Sequence, residues 1–243
     1  MRESASRAPA FRARAAKTQV NVILRTFVAS TIVVWCGPAT AQTAPTAADI
    51  ATYSGLHLAA HEGRVDDINR LIAEGADPNI RDRAERTAAH IAAFASHDDA
   101  LRALAAGGAD MNALENRAYD VLTVAAVADD PDLVSLAMEL GNRPDLVTSV
   151  YDGTALIAAA HLGHHDVVAR LVAGGAPLDH VNNLGWTALM EAVVLGDGGP
   201  DHTRTIQILV EAGADRTIGD RQGVTPLQHA ISRGYTDIVL LLK

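Results

Sequence analysis

Two sequence markers recur along this chain with the same spacing. The first marker is a threonine, serine or aspartate that begins a segment with paired alanines in most copies. Successive copies of this marker are 33, 33, 34, 33 and 38 residues apart. These segments begin at Ser54, Thr87, Asp120, Thr154, Thr187 and Thr225. The second marker is a glycine, usually followed by Ala-Asp, at Gly75, Gly108, Gly141, Gly175 and Gly213. Two markers in one register predict a unit repeated about six times, whose copies stack because one unit cannot bury its apolar face alone.

Each unit has the pattern of two helices joined by a tight turn. Thr154 and its equivalents can cap the first helix through a side-chain oxygen. Val167, Val168 and Leu171 then have the apolar spacing of a second helix, and the marker glycine suits a left-handed turn after it. The glycines expected to end first helices are Gly63, Gly163, Gly196 and Gly234. The pattern predicts an all-α solenoid of about six helix-turn-helix repeats with short hairpin loops.

These motifs resemble the ankyrin repeat family, whose repeat of about 33 residues carries a Thr-Pro-Leu-His-x-Ala signature. The last copy keeps Thr225, Pro226 and Leu227 of that signature, and the first keeps Leu56 and His57. The resemblance extends from residue 49 to residue 243. It implies a curved solenoid whose concave side, made of hairpin fingers and first helices, binds other proteins.

The third copy departs most from the family pattern, since Asp120 and its neighbours replace the signature and Gly141-Asn142-Arg143 replaces the usual end. Without the usual capping and closing residues, repeat 3 is expected to form the weakest interface of the stack, and segment 119–147 to be among the internal segments least protected from hydrogen exchange. Asp130 before Pro131 is expected to compensate in part by capping the second helix. The predicted segments are a signal peptide (1–41), an N-terminal linker (42–51), and ankyrin repeats 1 (52–84), 2 (85–117), 3 (118–151, degenerate), 4 (152–184), 5 (185–222, with an insertion at 197–205) and 6 (223–243, the C-terminal cap).

The first 41 residues have the pattern of an export signal. Six of them are basic and one is acidic, an apolar run follows at 27–35, and Ala39-Thr40-Ala41 matches an A-x-A cleavage site. The apolar run is about half of the roughly 20 residues that a membrane span needs, so no stable membrane insertion is expected after cleavage. We predict cleavage after Ala41 and a periplasmic or secreted protein; the alternative interpretation is a disordered basic tail.

Removal of this segment would change the charge of the protein. It holds six of the 20 basic and one of the 29 acidic residues, which leaves 14 basic and 28 acidic residues and a net charge of −14. An acidic surface repels phosphate backbones, so a nucleic acid is not an expected partner, whereas a basic protein is. Cys36, the one cysteine of the chain, would leave with the segment, which suits an oxidising compartment.

The segment LIAAAHLGHHDVV, at 156–168, combines histidines with a carboxylate, the residue types of metal and acid–base sites. Its candidate side chains are His161, His164, His165 and Asp166. Because Gly163 is expected to break the helix between His161 and His165, these two should not share a helix face. We interpret the histidines as ordinary repeat positions. The 196–205 segment, with Asp197 and Asp201, lacks the regular oxygen ligands of a calcium loop and is predicted to be a solvated insertion.

Catalytic patterns are not found in the sequence that follows the signal. It contains no thiol, no nucleophile elbow with partners and no phosphate-binding glycine loop followed by lysine. We therefore predict a non-enzymatic protein with no catalytic residues, no metal and no cofactor.

Two columns of equivalent residues are expected to face the concave side. The first precedes each first helix and reads Tyr53, Arg86, Tyr119, Gly153, Trp186 and Val224; the second reads His61, Phe94, Val127, His161, Val194 and Ser232. Aromatic residues and arginine are enriched at binding hot spots. The predicted protein-binding residues are Tyr53, His61, Arg86, Phe94, Tyr119, His161, Trp186 and Glu191. The alternative is that the aromatic residues of the first column only brace neighbouring fingers.

The sequence thus predicts an exported scaffold that binds another protein, most simply in a bacterial periplasm. Two alternatives are a host-directed secreted ankyrin effector and a periplasmic protein that binds a metal or small ligand through His61, His161 and the 196–205 segment. The identity of the partner is not encoded in any of these patterns.

Overall fold

The structure, a computed structural model, describes residues 44–243, and the described part is built of helices with two isolated β-bridges and no strand. The helices are α1 (Ala47–Ile50), α2 (Gly55–His61), α3 (Val65–Ala73), α4 (Ala88–Phe94), α5 (Asp98–Ala106), α6 (Val121–Val127), α7 (Pro131–Glu139), α8 (Ala155–Leu162), α9 (His165–Ala173), α10 (Ala188–Val194), α11 (Pro200–Glu211), α12 (Pro226–Arg233) and α13 (Thr236–Leu242). The predicted signal peptide and its cleavage site lie outside the described residues.

Helices α2 to α13 form six consecutive pairs, one in each predicted repeat. The first helices of the pairs pack on one another in chain order, and so do the second helices. Among the first helices, α4 and α6 make the least extensive contact, and among the second helices α5 and α7 do. Repeats 2 and 3 are therefore the least tightly packed neighbours in both rows. The all-α repeat solenoid predicted from the sequence is confirmed.

Small side chains let the first helices approach closely. The paired alanines are almost completely buried, and Ala59, Ala92, Ala125, Ala159 and Ala192 form one such column. Longer apolar side chains from the second helices fill the space between the two rows, for example Leu101, Val168 and Leu209. Because each repeat contacts only its neighbours, the core is continuous along the stack and is shared by all six units.

Turns between helices follow the glycine pattern with one exception. Each glycine of the second marker has positive φ, from +83° at Gly175 to +100° at Gly141, as predicted. In repeat 5, however, the left-handed residue is Gly198, with φ of +73°, and not Gly196 as the sequence suggested. The extra residues of this repeat move the turn two positions along the chain. Ser96 and Asp129 adopt the left-handed conformation in repeats 2 and 3, where other repeats have glycine.

Both helices of repeat 3 are capped: the Asp130 cap was predicted from the sequence, and the Asp120 cap was not. Asp120 accepts hydrogen bonds from the backbone nitrogen of Thr123 at 2.8 Å and from its hydroxyl at 2.6 Å. Asn142 donates to the second carboxylate oxygen of Asp120 at 2.7 Å, so the unusual residues of this repeat bond to each other. Asp130 caps α7 by accepting from the nitrogen of Leu133 at 2.9 Å, with Pro131 in the first turn. Aspartate therefore caps the first helix of this repeat, as threonine caps the first helices of most other repeats.

Two segments predicted to be irregular contain helix. Part of the 42–51 linker forms α1, because Thr46 and Asp49 make a reciprocal capping box. Most of the 197–205 insertion belongs to α11, which begins at Pro200 and is 12 residues long, compared with nine for α9. Gly199 precedes Pro200 at the N-cap, and proline suits the first position of a helix. The insertion thus lengthens a second helix and is not an irregular loop, whereas its exposure to solvent at Asp197, Asp201 and Arg204 agrees with the prediction.

No helix within residues 44–243 has both the length and the apolar character that a membrane crossing requires.

Candidate protein-binding face

Five hairpin fingers connect successive repeats, and a single polar side chain shapes each of them. Fingers 1 to 5 are residues 75–86, 108–119, 141–153, 175–186 and 213–224. The shaping residues are Asp82, Glu115, Ser149, Asn182 and Asp220. Each accepts backbone hydrogen bonds from the residues two and four positions later, as Asn182 does from Leu184 and Trp186, both at 3.0 Å. The second donor is in each case a member of the predicted contact column, so these side chains position that column.

Tyr53 and Arg86, the first two members of the column, are buried in an ionic cluster. The Arg86 guanidinium contacts Asp82 at 2.8 Å and Asp49 at 3.1 Å, and the Tyr53 hydroxyl donates to Asp82 at 2.9 Å. Arg86 is 2% exposed and Tyr53 is 8% exposed. A partner cannot reach side chains covered to this extent. These two residues therefore join repeat 1 to its finger, and the bracing interpretation holds for them.

The charges of this cluster stabilise one another. Hydrogen bonds from Thr46, together with Arg86, lower the pKa of Asp49 to about 2. Burial raises the pKa of Asp82, but hydrogen bonds from Arg86 and Tyr53 outweigh that effect and leave the pKa lowered. Burial and the hydrogen bond to Asp82 raise the pKa of Tyr53. The cluster is consequently ionised at neutral pH, with two carboxylates around one guanidinium.

Glu191 is also buried, with 3% of its surface exposed. One carboxylate oxygen accepts from the Asn182 amide at 2.8 Å, and the other lies 3.2 Å from Nδ1 of His161 in the preceding repeat. Glu191 is therefore a bridge between a finger and two first helices, and its predicted contact role is not supported by its burial. His161, in the last turn of α8, is half-buried and lies against the Glu191 carboxylate.

The remaining members of the predicted set are partly accessible. Tyr119 and Trp186 stand at the ends of fingers 2 and 4, and His61, Phe94 and His161 stand near the ends of first helices; all five are half-buried. Burial raises the pKa of Tyr119, so its hydroxyl stays protonated at neutral pH. These five residues can contact a partner without unfolding of the repeats.

Finger 3 carries an exposed apolar patch that the sequence analysis missed. Val150 is 64% exposed and Tyr151 is 50% exposed at its tip, with Val147 and Val181 exposed nearby. Asn183 of finger 4 holds this tip by donating to the carbonyl oxygens of Val150 at 3.1 Å and Tyr151 at 2.9 Å. The equivalent pairs in other fingers are Arg83-Ala84, Asn116-Arg117, Asn183-Leu184 and Arg221-Gln222. Comparison of the fingertips, each of which has arginine or asparagine in the other fingers where finger 3 has Val150, could have identified the patch.

The three histidines of the 156–168 segment contact three different groups. His161 faces Glu191, His164 Nδ1 donates to the carbonyl oxygen of Ala126 at 3.0 Å, and His165 lies 3.3 Å from Asp166. As predicted, Gly163 separates α8 from α9, with φ of +73°.

The bond made by His164 is one of a series between repeats. His97 and His202 bond in the same way to the carbonyl oxygens of His61 and His161, both at 3.1 Å. These histidines therefore join the start of a second helix to the end of the preceding repeat's first helix. Within residues 44–243, no three histidine, aspartate, glutamate or cysteine side chains converge as metal ligands would.

Comparison with known proteins identifies the family of this architecture. A family model described as ankyrin repeats (3 copies) matches residues 56–146 and 122–220, and one described as ankyrin repeats (many copies) matches residues 200–242. YahD, an ankyrin repeat protein of Escherichia coli (strain K12), is 34% identical over 187 residues, which are 76% of this chain and 92% of YahD.

Solved structures agree with these matches. An ankyrin repeat domain from Acinetobacter baumannii superimposes with a TM-score of 0.72 at 37% identity, over 77% of this chain and 95% of that domain. A structure of a predatory endopeptidase from Bdellovibrio bacteriovorus in complex with an immunity protein contains a chain of the same fold, with a TM-score of 0.63 at 22% identity, over 78% of this chain and 97% of that one. The chain belongs to the ankyrin repeat family.

Proposed function

We propose that this protein is an exported, periplasmic scaffold that binds a basic protein through its fingers and the ends of its first helices. The observation that carries the proposal is an accessible aromatic residue on each of three consecutive fingers: Tyr119 on finger 2, Tyr151 on finger 3 and Trp186 on finger 4. Only 4% of the chain is aromatic, so this concentration is uneven. Tyrosine and tryptophan supply large, rigid contact area at protein interfaces.

Family membership supports an interaction role. Ankyrin repeats mediate protein–protein interaction, and the fold is typically a non-catalytic scaffold. The strongly acidic composition of residues 42–243 favours a basic partner. The export part of the proposal depends on the basic and apolar pattern of the first 41 residues.

Alanine substitutions on the fingers test the binding face. A partner is first isolated from periplasmic extract and purified, and its affinity is measured by calorimetry with Tyr119→Ala, Tyr151→Ala and Trp186→Ala. We expect a loss of about 2 kcal/mol for a hot-spot aromatic residue, or roughly thirtyfold in affinity. Arg170→Ala and Arg204→Ala, on exposed positions of the second helices α9 and α11, are the controls and should leave affinity nearly unchanged.

Thermal melting of the same variants separates binding from bracing. If the aromatic residues only support the fingers, Trp186→Ala will lower the melting temperature clearly and will reduce affinity only through partial unfolding. If all three variants are folded and bind as well as the original protein, the proposed face is wrong.

Export is tested by N-terminal sequencing of the protein recovered from a periplasmic fraction. We expect the chain to begin at or near Gln42, because cleavage follows an A-x-A site. Recovery of a folded protein that retains residues before Phe27 would contradict export by a cleaved signal.

A further inference from the structure

The first helices of repeats 2 to 5 carry an apolar row near their C-terminal ends. The row occupies the positions seven and eight residues after each cap, opposite the pair that faces the core, such as Ala125 and Ala126. Repeats 1 and 6 have polar residues at these positions: His61 and Glu62 in repeat 1, and Ser232 and Arg233 in repeat 6. We call the larger apolar residues of the four repeats between them the strip: Phe94, Val127, Leu162, Val194 and Leu195.

The core does not account for most of the strip. Val127, Leu162, Val194 and Leu195 are half-buried, and within residues 44–243 they belong neither to the core nor to the apolar side chains that pack against it. Repeats 1 and 6 form the same first helices with polar residues at these positions. The fold therefore does not require apolar side chains there, and a continuous accessible apolar row is typical of a binding surface.

The spacing of the strip fits an α-helix of a partner. Packed helices lie about 8–10 Å apart, so a strip that crosses four repeats is roughly 24–30 Å long. An α-helix returns to the same face after about seven residues, or roughly 10.5 Å, and presents two apolar side chains in that interval. A β-strand advances about 10 Å in three residues and then presents its opposite face. A helix can therefore place equivalent side chains on successive repeats, and a strand cannot.

Charge at this end of the repeats favours a basic helix. Each second helix begins a few residues after the strip positions, and its second residue is an exposed aspartate in all six repeats of the described chain. These aspartates are Asp66, Asp99, Asp132, Asp166, Asp201 and Asp237. Arg170 lies 4.0 Å from Asp132 and His165 lies 3.3 Å from Asp166, but the row as a whole is acidic. Lysine or arginine beside the apolar face of a bound helix is complementary to it.

We propose that the strip binds an amphipathic α-helix of the partner protein, apolar on one face and basic beside that face. About 16–20 residues of this helix cross repeats 2 to 5. Tyr119 and Trp186 lie eight residues before Val127 and Val194, or roughly 12 Å along a first helix, which is about the diameter of one helix. The bound helix can therefore contact the fingers as well. The inference rests on the function proposed above, because it names the element through which a basic partner binds.

A synthetic peptide tests the shape of the bound segment. The peptide has about 21 residues in three heptads, with leucine at the first and fourth positions of each heptad and lysine or alanine elsewhere. A scrambled peptide of the same composition, whose leucines share no face, is its control. Fluorescence anisotropy in about 0.15 M salt measures both affinities. We expect the heptad peptide to bind at least about tenfold more tightly than the scrambled one and to gain helical circular dichroism in the complex.

Substitutions in the strip test its position. Leu162→Gln and Leu195→Gln should each weaken binding of the heptad peptide about tenfold, because each removes a leucine that the complex buries. The matched control is Leu240→Gln, which removes the same side chain from an exposed position of α13 and should leave the affinity unchanged. Thermal melting verifies folding; if one strip variant does not fold, the other carries the test, because the two lie in different repeats.

The outcomes separate this proposal from the proposed function. The strip proposal is wrong if the two peptides bind equally, if the heptad peptide binds without gaining helix, or if both strip variants bind it as the original protein does. The purified partner decides the rest. If its affinity falls in Tyr119→Ala and Trp186→Ala but not in Leu162→Gln or Leu195→Gln, the partner binds the fingers and the strip is excluded. If none of these substitutions changes its affinity, both proposals are wrong.

Discussion

His90 shows how the fold controls the chemical state of a single residue. It is completely buried at the start of α4, where the backbone nitrogen of Thr87 donates to its Nδ1 at 3.2 Å. Its Nε2 must then carry the proton, which it donates to the carbonyl oxygen of Tyr119 at 3.1 Å. Burial lowers the pKa of His90 to about 4, because a second proton would displace the Thr87 contact and place a charge in the core.

This arrangement predicts a dependence of stability on pH. In the unfolded chain His90 takes up a proton near its ordinary pKa of 6.5, whereas the folded protein resists protonation until about pH 4. Stability should therefore fall as the pH drops through this window, by about 2 kcal/mol between pH 7 and pH 5. Urea unfolding at both values measures it. In His90→Gln, most of the difference in unfolding free energy between pH 7 and pH 5 should disappear. The control, His165→Gln, changes a half-exposed histidine and should keep the difference. If the difference is unchanged in His90→Gln, other groups cause it.

At the scale of helices, the contact between repeats 2 and 3 is the weak point of the stack. The first helices α4 and α6 pack less extensively than any other neighbouring first helices, and α5 and α7 contact each other least among the second helices. Repeat 3 itself is internally well capped by Asp120 and Asp130. The weakness therefore lies in the surface between two repeats, in agreement with the sequence-based prediction that repeat 3 forms the weakest interface of the stack.

Opening at this surface would leave repeats 1 and 2 alone, fewer than the three repeats that a stable array needs. We expect the buried amides of α4 to exchange with solvent hydrogen sooner than those of α8, although both helices are covered by neighbours on two sides. Hydrogen exchange with mass spectrometry in mild denaturant measures the difference. Protection of α4 equal to that of α8 would show that the array opens as one cooperative unit.

For the whole molecule, the distribution of charge decides how a partner approaches. The net charge of −14 over residues 42–243 is spread over most repeats and is strongly screened at about 0.5 M salt. The association rate with a basic partner should therefore fall at least about tenfold between roughly 0.05 and 0.5 M salt, while the dissociation rate changes less. Stopped-flow or surface-binding kinetics measures both rates. An association rate that does not depend on salt would contradict a basic partner.

Local patterns were sufficient for most of the fold. The 33-residue step, the capping threonines and glycines such as Gly75 depend on backbone conformation within one repeat, so the sequence predicts them directly. The errors occurred where repeats differ in length or residue type. The five extra residues of repeat 5 move the left-handed turn to Gly198 and lengthen α11. In repeat 3, Asp120 caps the first helix in place of threonine.

The candidate face was less predictable, because exposure depends on the neighbouring repeats. The repeat spacing in the sequence is sufficient to show that Tyr53, Arg86 and Trp186 occupy equivalent positions, each directly before a first helix. Only the tertiary structure decided that Arg86 is enclosed by two carboxylates while Trp186 stays half-exposed, and that Val150 and Tyr151 form a patch. The physical reason is that capping and turn formation are local, whereas the burial of a side chain is decided by which groups of adjacent repeats pack over it.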